Sequence, residues 1–149
     1  MTTQPSPDTA VGIIIAAHTD YAAALLRTAE CILGPLGDCT SISVDVTLDV
    51  AETVQRLNDA SRLLDKGAGV LILTDMFGGT PTNLSLALLT HRKVEVVTGV
   101  NLPMLLKAFS ARSLPLRELA ELAGEAGRQG IVVAGEVLEK KTPRDPHQT

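Results

Sequence analysis

His18 and Asp75 are the two residues whose positions in this sequence most strongly indicate chemistry. Each directly follows an apolar run: residues 11–17 (VGIIIAA) precede the histidine, and residues 69–74 (GVLILT) precede the aspartate. Such runs are typical of strands buried on both faces of a parallel sheet, and parallel strands present their carboxyl ends at one edge. A carboxylate bonded to one imidazole nitrogen fixes the tautomer and makes the other nitrogen a better nucleophile. The pair therefore predicts a nucleophilic histidine oriented by an aspartate.

A purely structural role for His18 is the alternative interpretation. A histidine between a strand and a helix start can act as a cap or make one hydrogen bond in the core, and His18 considered alone fits that role at least as well as a catalytic one. Asp75, at the corresponding position after a neighbouring strand, favours the catalytic interpretation of His18.

The segment after the second strand, residues 75–83 (DMFGGTPTN), has the composition of an anion-binding loop. Gly78 and Gly79 permit positive φ angles and a close approach of the backbone to a ligand. Thr80 is predicted as the N-cap of a helix and Pro81 as its first residue. A helix start offers free N–H groups and a favourable dipole to an anion, although a plain strand-to-helix turn would carry the same residues.

A second helix start is predicted directly after His18, where Thr19 and Asp20 can cap the following helix. A phosphoryl group on His18 would then receive hydrogen bonds from both helix starts, with Thr19, Gly78, Gly79 and Thr80 as the predicted phosphate-binding residues. The hydroxyl of Thr82, like that of Thr80, is predicted to add a donor. The loop lacks the lysine of a P-loop, which argues against a nucleoside triphosphate site.

The order of elements predicts a parallel α/β fold in three layers, a sheet flanked by helices. The remaining strands are predicted at residues 41–46, near the sheet edge, 93–98 and 131–137. Helices are predicted from residue 19 or 20 to 33, over 51–64, from 80 through the apolar run 84–89, and over 102–111 and 116–126. Residues 18–20, 75–81 and 99–103 should converge at one edge. The apolar run 84–89 should be deeply buried or lie in a subunit contact.

Composition limits the remaining possibilities. The chain of 149 residues is expected to form one domain over residues 11–138, with disordered segments at 1–10 and 139–149. A net charge of −4 and only 2% aromatic residues argue against nucleic-acid binding. The apolar runs are too short to cross a bilayer and no signal peptide is recognisable, so a cytoplasmic location is predicted.

The other histidines and the two cysteines are interpreted as structural. His91 is predicted at a helix C-terminus, where a cation complements the dipole, and His147 lies in the predicted tail. The spacing of Cys31 and Cys39 matches neither a redox pair nor a zinc motif. No metal and no cofactor are predicted.

Three stretches together resemble the IIA components of the mannose family of the sugar phosphotransferase system. These are IIIAAHTDYAAALL (13–26), LILTDMFGGTPTN (71–83) and VVTGVNLPMLLKA (96–108). The resemblance covers roughly residues 11–138 and implies a flavodoxin-like topology. It also implies a homodimer in which the last strand, here 131–137, is exchanged between subunits.

The resemblance implies a phosphotransferase function. His18 would accept a phosphoryl group from the phosphocarrier protein HPr and pass it to a IIB component, which works with membrane IIC and IID components; Asp75 would orient His18. The family usually has glycine after this histidine, whereas this chain has Thr19 followed by Asp20. Asp20 places a negative charge near the phosphoryl group.

Three other functions remain open at this stage. A regulatory phosphoprotein without a transport role would need the same site, and so would the phosphocarrier domain that serves dihydroxyacetone kinases, although the DMFGGTP loop favours the mannose type. A flavodoxin-like small-molecule binding module is disfavoured because few aromatic residues are present to stack on a flavin. The sequence does not indicate which sugar would be transported.

Overall fold

The computed structural model describes residues 9–45, 47, 49–89 and 92–141. The predictions made for segments 1–8 and 142–149, and for His91 and His147, lie outside the described residues. The elements of the described chain are, in order, β1 (Gly12–His18), α1 (Tyr21–Leu33), β2 (Cys39–Val44), α2 (Val50–Leu64), β3 (Val70–Thr74), α3 (Thr80–Leu86), β4 (Val94–Thr98), α4 (Leu102–Ser110), α5 (Leu116–Gln129) and α6 (Ala134–Lys141).

The sheet is parallel with the strand order β2-β1-β3-β4, so β1 is an inner strand and β2 lies at an edge, as predicted. Ala16 pairs with Thr74 across β1 and β3, and His18 pairs with Val44 across β1 and β2. This register brings the carboxyl ends of β1 and β3 side by side. The predicted α/β class is confirmed.

Two apolar layers cover the sheet, one on each face. Side chains at alternate positions of β1 and β3 pack with α1, α4 and α5 on one face, and the intervening side chains pack with α2 and α3 on the other. Ile, Leu, Val and Ala fill most of this core, as the low aromatic content predicted. No helix of the described chain is both long and apolar enough to span a bilayer.

The predicted strand over residues 131–137 is wrong for the single chain. Residues 131–133 have no regular structure, and α6 begins at Ala134 and runs to Lys141, three residues past the predicted domain end. Only 131–133 are consecutively β-branched, whereas 134–141 (AGEVLEKK) is rich in good helix formers. Within a single chain the segment also has no strand to pair with.

The apolar run 84–89 is only partly helical, because α3 ends at Leu86 and a turn follows. Leu88 is buried, but Leu86 and Leu89 are 39% and 40% exposed. The predicted deep burial is therefore confirmed for Leu88 but not for Leu86 and Leu89, and the alternative, a subunit contact, stays a prediction.

Arg112 joins three segments at the end of the sheet opposite His18. Its guanidinium donates hydrogen bonds to the carbonyls of Val11 (3.0 Å), Gly37 (2.7 Å) and Asp38 (2.7 Å). The guanidinium carbon also lies 5.4 Å from the centre of the Phe109 ring. These contacts link the start of β1, the start of β2 and the end of α4. Partial burial lowers the pKa of Arg112, and nearby Cys39 and Asp38 oppose that shift.

We expect Arg112→Met to lower the free energy of unfolding by about 2 to 4 kcal/mol, because it removes several charge-assisted hydrogen bonds to partly buried carbonyls. Urea denaturation monitored by circular dichroism measures the change. Arg117→Met is the matched control, since the Arg117 guanidinium is exposed and forms only surface ion pairs with Glu95 and Glu121. An Arg112 variant no less stable than the Arg117 variant would contradict the structural role.

Candidate functional site

The structure brings His18 and Asp75 into direct contact. His18 is the last residue of β1, and Asp75 follows β3. The ring Nδ1 of His18 lies 2.6 Å from Oδ2 of Asp75, and the main-chain N–H of His18 donates to the same oxygen at 3.0 Å. The other carboxylate oxygen accepts from the N–H of Met76 at 3.0 Å. The carboxylate is thus held by three N–H groups, two of them from His18.

This contact determines the chemistry available to His18. An ionised carboxylate can only accept, so Nδ1 carries the hydrogen and Nε2 of the neutral ring has a free lone pair. No other described residue hydrogen-bonds to Nε2, and the His18 side chain is 38% exposed. The site can therefore present a neutral imidazole nitrogen as a nucleophile to a group arriving from solvent.

Asp75 is held in its charged form. Burial raises the pKa of its carboxyl, but the hydrogen bonds from the His18 main chain and ring, the charge of His18 and a main-chain bond within the loop lower it more. The net effect is a pKa below the ordinary aspartate value, so the carboxylate is ionised at neutral pH. An ionised partner is what can stabilise positive charge on the ring.

The turn after His18 contains a strained residue. Thr19 has a φ of +53°, in the left-handed region, which disfavours a β-branched side chain by about 1 to 2 kcal/mol. The hydroxyl of Ser43, on the neighbouring strand β2, donates to the Thr19 carbonyl and helps to hold this conformation. Glycine adopts such a φ without strain, which accounts physically for the glycine usual at this position in the family that the sequence resembles.

The predicted capping of α1 is wrong in its details. Asp20 occupies the N-cap position, but its side chain makes no capping hydrogen bond, and the Thr19 hydroxyl points to the Asp20 carboxylate at 3.4 Å. The N–H groups of the first turn of α1 are therefore left without a side-chain acceptor.

The glycine loop packs against the His18 ring. Gly78 adopts a φ of +78°, as the sequence predicted. Gly79 has an ordinary φ but leaves little room for a side chain. A Cβ there would lie 3.3 Å from Cε1 of His18 and 3.1 Å from Cγ of Met76, so these neighbours would have to move by a few tenths of an ångström. Gly79, and not Thr80, is the N-cap of α3, so the predicted cap is displaced by one residue. Thr80 is the first helical residue, and its hydroxyl has no hydrogen bond to another described residue.

The third predicted segment, residues 99–103, meets the other two at this edge. The hydroxyl of Tyr21, the first residue of α1, donates to the Val100 carbonyl at 2.8 Å, and the Val100 N–H donates to the Thr74 carbonyl at 2.9 Å. The predicted convergence is therefore confirmed. The sequence analysis did not identify Tyr21 or Ser43, because each acts through a contact with a residue distant in the chain.

Other reactive groups lie away from this site. Cys39 is at the start of β2, at the opposite end of the sheet. Burial raises the pKa of its thiol, Arg112 opposes this shift, and Glu30 and Asp38 add to it. Cys31 is exposed on α1. Among the described residues, no three His, Cys, Asp or Glu side chains are grouped closely enough to hold a metal ion.

Comparisons with known proteins agree with this geometry. The family model described as "PTS system fructose IIA component", EIIA-man, matches residues 12–123, a range that includes His18 and Asp75. The chain is 36% identical over 138 residues to the mannose-specific EIIAB component of Escherichia coli K12, covering 89% of this chain but only 42% of that protein. It is 32% identical over 109 residues to the sorbose-specific EIIA component of Lacticaseibacillus casei, covering 72% of this chain and 78% of that protein.

A solved structure supports the same relationship. The phosphotransferase system component EIIA from Streptococcus agalactiae superposes with a TM-score of 0.77 at 28% identity, covering 85% of this chain and 98% of that one. The shared fold, the family match over the site and the sequence relatives lead to one conclusion. This chain belongs to the EIIA-man family, the mannose-type IIA components of the sugar phosphotransferase system.

Proposed function

We propose that this chain is a phosphohistidine carrier that takes a phosphoryl group from HPr onto Nε2 of His18 and passes it to a IIB component. The IIB component would in turn serve membrane IIC and IID components in sugar uptake, so the proposed place of action is the cytoplasm. The observation that carries the proposal is the bond between Nδ1 of His18 and Asp75, which in the neutral ring leaves the lone pair on Nε2, the accessible nitrogen. No cofactor is needed, because positioning and electrostatics suffice for transfer between two imidazoles.

The proposed step conserves atoms and charge. The Nε2 lone pair of His18 forms a bond to phosphorus while the bond from phosphorus to the donor imidazole nitrogen breaks, and that electron pair returns to the donor. The His18 ring, which keeps its Nδ1 hydrogen, becomes cationic. Asp75 stabilises this cation through the 2.6 Å hydrogen bond. Transfer to the IIB component is the same step with His18 as donor.

The phosphoryl oxygens would be held by the two turns that border His18. We propose the uncapped first turn of α1, next to Thr19, and the loop residues Gly78, Gly79 and Thr80 as the donors. The absence of a side-chain cap on α1 and the unengaged Thr80 hydroxyl support this role. The close contact of Gly79 with the His18 ring places the loop within reach of a group on that ring.

Sugar uptake is favoured over the alternatives by the relatives. Two of them are named as mannose-specific and sorbose-specific components, whereas a regulatory phosphoprotein or a dihydroxyacetone kinase accessory would carry the same histidine without a sugar specificity. Since this chain spans 42% of the Escherichia coli EIIAB component, we propose that a IIB function is provided by a separate segment or chain.

Phosphorylation at His18 is the direct test. We expect incubation with enzyme I, HPr and labelled phosphoenolpyruvate to place one acid-labile phosphoryl group per chain, located at His18 by peptide mapping. His18→Ala should remove the label completely, and His91→Ala, a change at another histidine, should retain it. Label that persists in a folded His18→Ala protein would contradict the proposal.

Asp75→Asn should slow phosphorylation of His18 by about 10²- to 10⁴-fold, because an amide can hold the ring but stabilises an imidazolium poorly and can impose the wrong tautomer. Rapid-quench measurement with phosphorylated HPr gives the rate. Asp20→Asn is the matched control, since Asp20 lies at the same edge but does not bond to His18; it should not slow the reaction. Equal rates in wild type and Asp75→Asn would exclude Asp75 from the mechanism.

Acid unfolding checks the same carboxylate without any transfer partner. Because the folded-state pKa of Asp75 is lowered, its charged form contributes stability that is present above the unfolded pKa of about 3.9 and is lost as pH falls through the lower folded value. The difference in stability between wild type and Asp75→Asn should therefore be largest above about pH 5 and shrink on acidification. A difference that does not change with pH would argue against the ionised pair.

We also propose that the chain forms a homodimer. In the described sheet β4 pairs with β3 alone, and a groove of about 960 Å³ lined by Phe77, Leu86 and Ile131, among others, runs beside it. Ile131, Val132 and Val133 are 79%, 61% and 64% exposed. An unpaired strand edge next to an exposed apolar segment suits pairing with a second copy of the chain.

Two truncations separate the dimer from the exchange of its last segment. We expect deletion of residues 131–149, which leaves α5 intact, to convert a dimer into a monomer, and deletion of 142–149 to leave the dimer unchanged. Multi-angle light scattering across a range of concentrations measures both. A full-length chain that stays monomeric at every concentration refutes the dimer, and a stable dimer without 131–149 refutes only the exchange.

A further inference from the structure

Two buried threonines connect the core to the loop that carries Asp75. Thr74 ends β3, Thr82 lies in the first turn of α3, and both are fully buried. Their hydroxyl oxygens are 2.6 Å apart, and the Thr82 hydroxyl is also 2.6 Å from the Met76 carbonyl oxygen. A buried hydroxyl without a partner is unfavourable, and each of these two hydroxyls has one.

The direction of these hydrogen bonds follows from counting hydrogens. A carbonyl can only accept, and Thr82 has a single hydroxyl hydrogen, so that hydrogen goes to Met76. The contact between the two threonines must then use the Thr74 hydroxyl as donor and the Thr82 oxygen as acceptor. The result is a series of two hydrogen bonds, in which Thr74 donates to Thr82 and Thr82 donates to the Met76 carbonyl.

This series of hydrogen bonds extends to His18. The N–H of Met76 donates to Oδ1 of Asp75 at 3.0 Å, and Oδ2 of Asp75 accepts from Nδ1 of His18. The main-chain carbonyl and N–H of Met76 therefore both form hydrogen bonds, the carbonyl with Thr82 and the N–H with Asp75. A Cβ at Gly79 would meet both Cγ of Met76 and Cε1 of His18, so the loop lies close to Met76 and to the ring. A displacement of the Met76 carbonyl would therefore move both the Asp75 carboxylate and the glycine loop beside the His18 ring.

We propose that Thr82 is a positioning residue for His18: its hydroxyl holds the Met76 carbonyl so that the Asp75 carboxylate meets Nδ1. Thr82 touches neither the ring nor an incoming group, and it acts through Met76 and Asp75. The functional part of this inference rests on the proposed phosphoryl transfer. The geometric part concerns the His18 tautomer alone and can be measured without transfer.

Four variants distinguish positioning from packing. Thr82→Val keeps the shape but removes the donor, leaving the Met76 carbonyl and the Thr74 hydroxyl buried without their partner. Thr82→Ser retains a hydroxyl, and Thr74→Val leaves Thr82 free to donate to Met76. Ser85→Ala is the matched control, because the Ser85 hydroxyl is equally buried in α3 but donates to Pro81, away from Asp75.

The expected outcomes differ in two measurements. In ¹⁵N NMR of histidine-labelled protein, Thr82→Val should lower the fraction of His18 in the Nδ1–H tautomer, whereas Thr82→Ser and Ser85→Ala should match wild type. In rapid-quench assays with phosphorylated HPr, Thr82→Val should lower the rate constant at saturation about 10- to 100-fold with little change in half-saturation. Thr74→Val should have a smaller effect, because it removes one bond and leaves no unpaired group at Met76.

An unchanged tautomer and rate in folded Thr82→Val would overturn the inference, and so would an equal fall in Ser85→Ala. If valine prevents folding, Thr82→Ala replaces it and is compared with Thr82→Ser; equal tautomer fractions and rates in that pair would also overturn it. A wild-type protein that HPr does not phosphorylate would refute the proposed function, but the tautomer comparison would still decide the role of Thr82.

Discussion

The hydrogen bond between Nδ1 of His18 and Asp75 is the constraint on which the site depends. It requires β1 and β3 to be neighbours in a parallel sheet, in the register that pairs Ala16 with Thr74, so that the residues beyond the two strand ends meet. The buried apolar residues on both faces of the two strands make them the inner strands of the sheet, covered by α1, α4 and α5 on one face and by α2 and α3 on the other. The chemistry of the edge is thus a consequence of the packing of the core.

Two turns near this bond contain a residue at positive φ, and only the first is strained, because glycine adopts such an angle freely. Thr19 is strained at a positive φ, and the loop after Asp75 passes through a positive φ at Gly78. Strained backbone persists when its surroundings determine it. Ser43 on β2 holds the Thr19 carbonyl, and Thr82 on α3 holds the Met76 carbonyl. Each turn is thus fastened to a different neighbour, the turn at Thr19 to β2 and the turn at Met76 to α3.

The residues that could be predicted from the sequence lie in local patterns, whereas the others act through contacts between distant parts of the chain. His18, Asp75 and the glycine loop could be predicted because a strand end is recognisable from the local hydrophobic pattern, and parallel strands end at one edge. Ser43 could not, since a lone serine in a strand becomes informative only through a contact made by the folded chain. Thr82 was predicted as a hydroxyl donor to the phosphoryl group, whereas the structure buries it and directs its hydroxyl to the Met76 carbonyl. The final segment was mispredicted because three β-branched residues suggested a strand that needs a partner outside the single chain, while the helix formers after Val133 decided its local structure.

A carboxylate beside a phosphoryl acceptor poses an electrostatic problem, because the charge that orients the imidazole also repels an incoming dianion. In this structure Asp75 lies on the Nδ1 side of the ring, away from Nε2, and three N–H groups occupy its two oxygens. Those donors lower its pKa and also offset its field toward solvent. Asp20, at the same edge, lacks such donors apart from the weak Thr19 contact, and its side chain does not cap α1. The two aspartates thus carry the same charge in different surroundings: the charge of Asp75 is partly offset by the three N–H groups bonded to it, whereas the Asp20 carboxylate accepts only the weak Thr19 contact among the described residues.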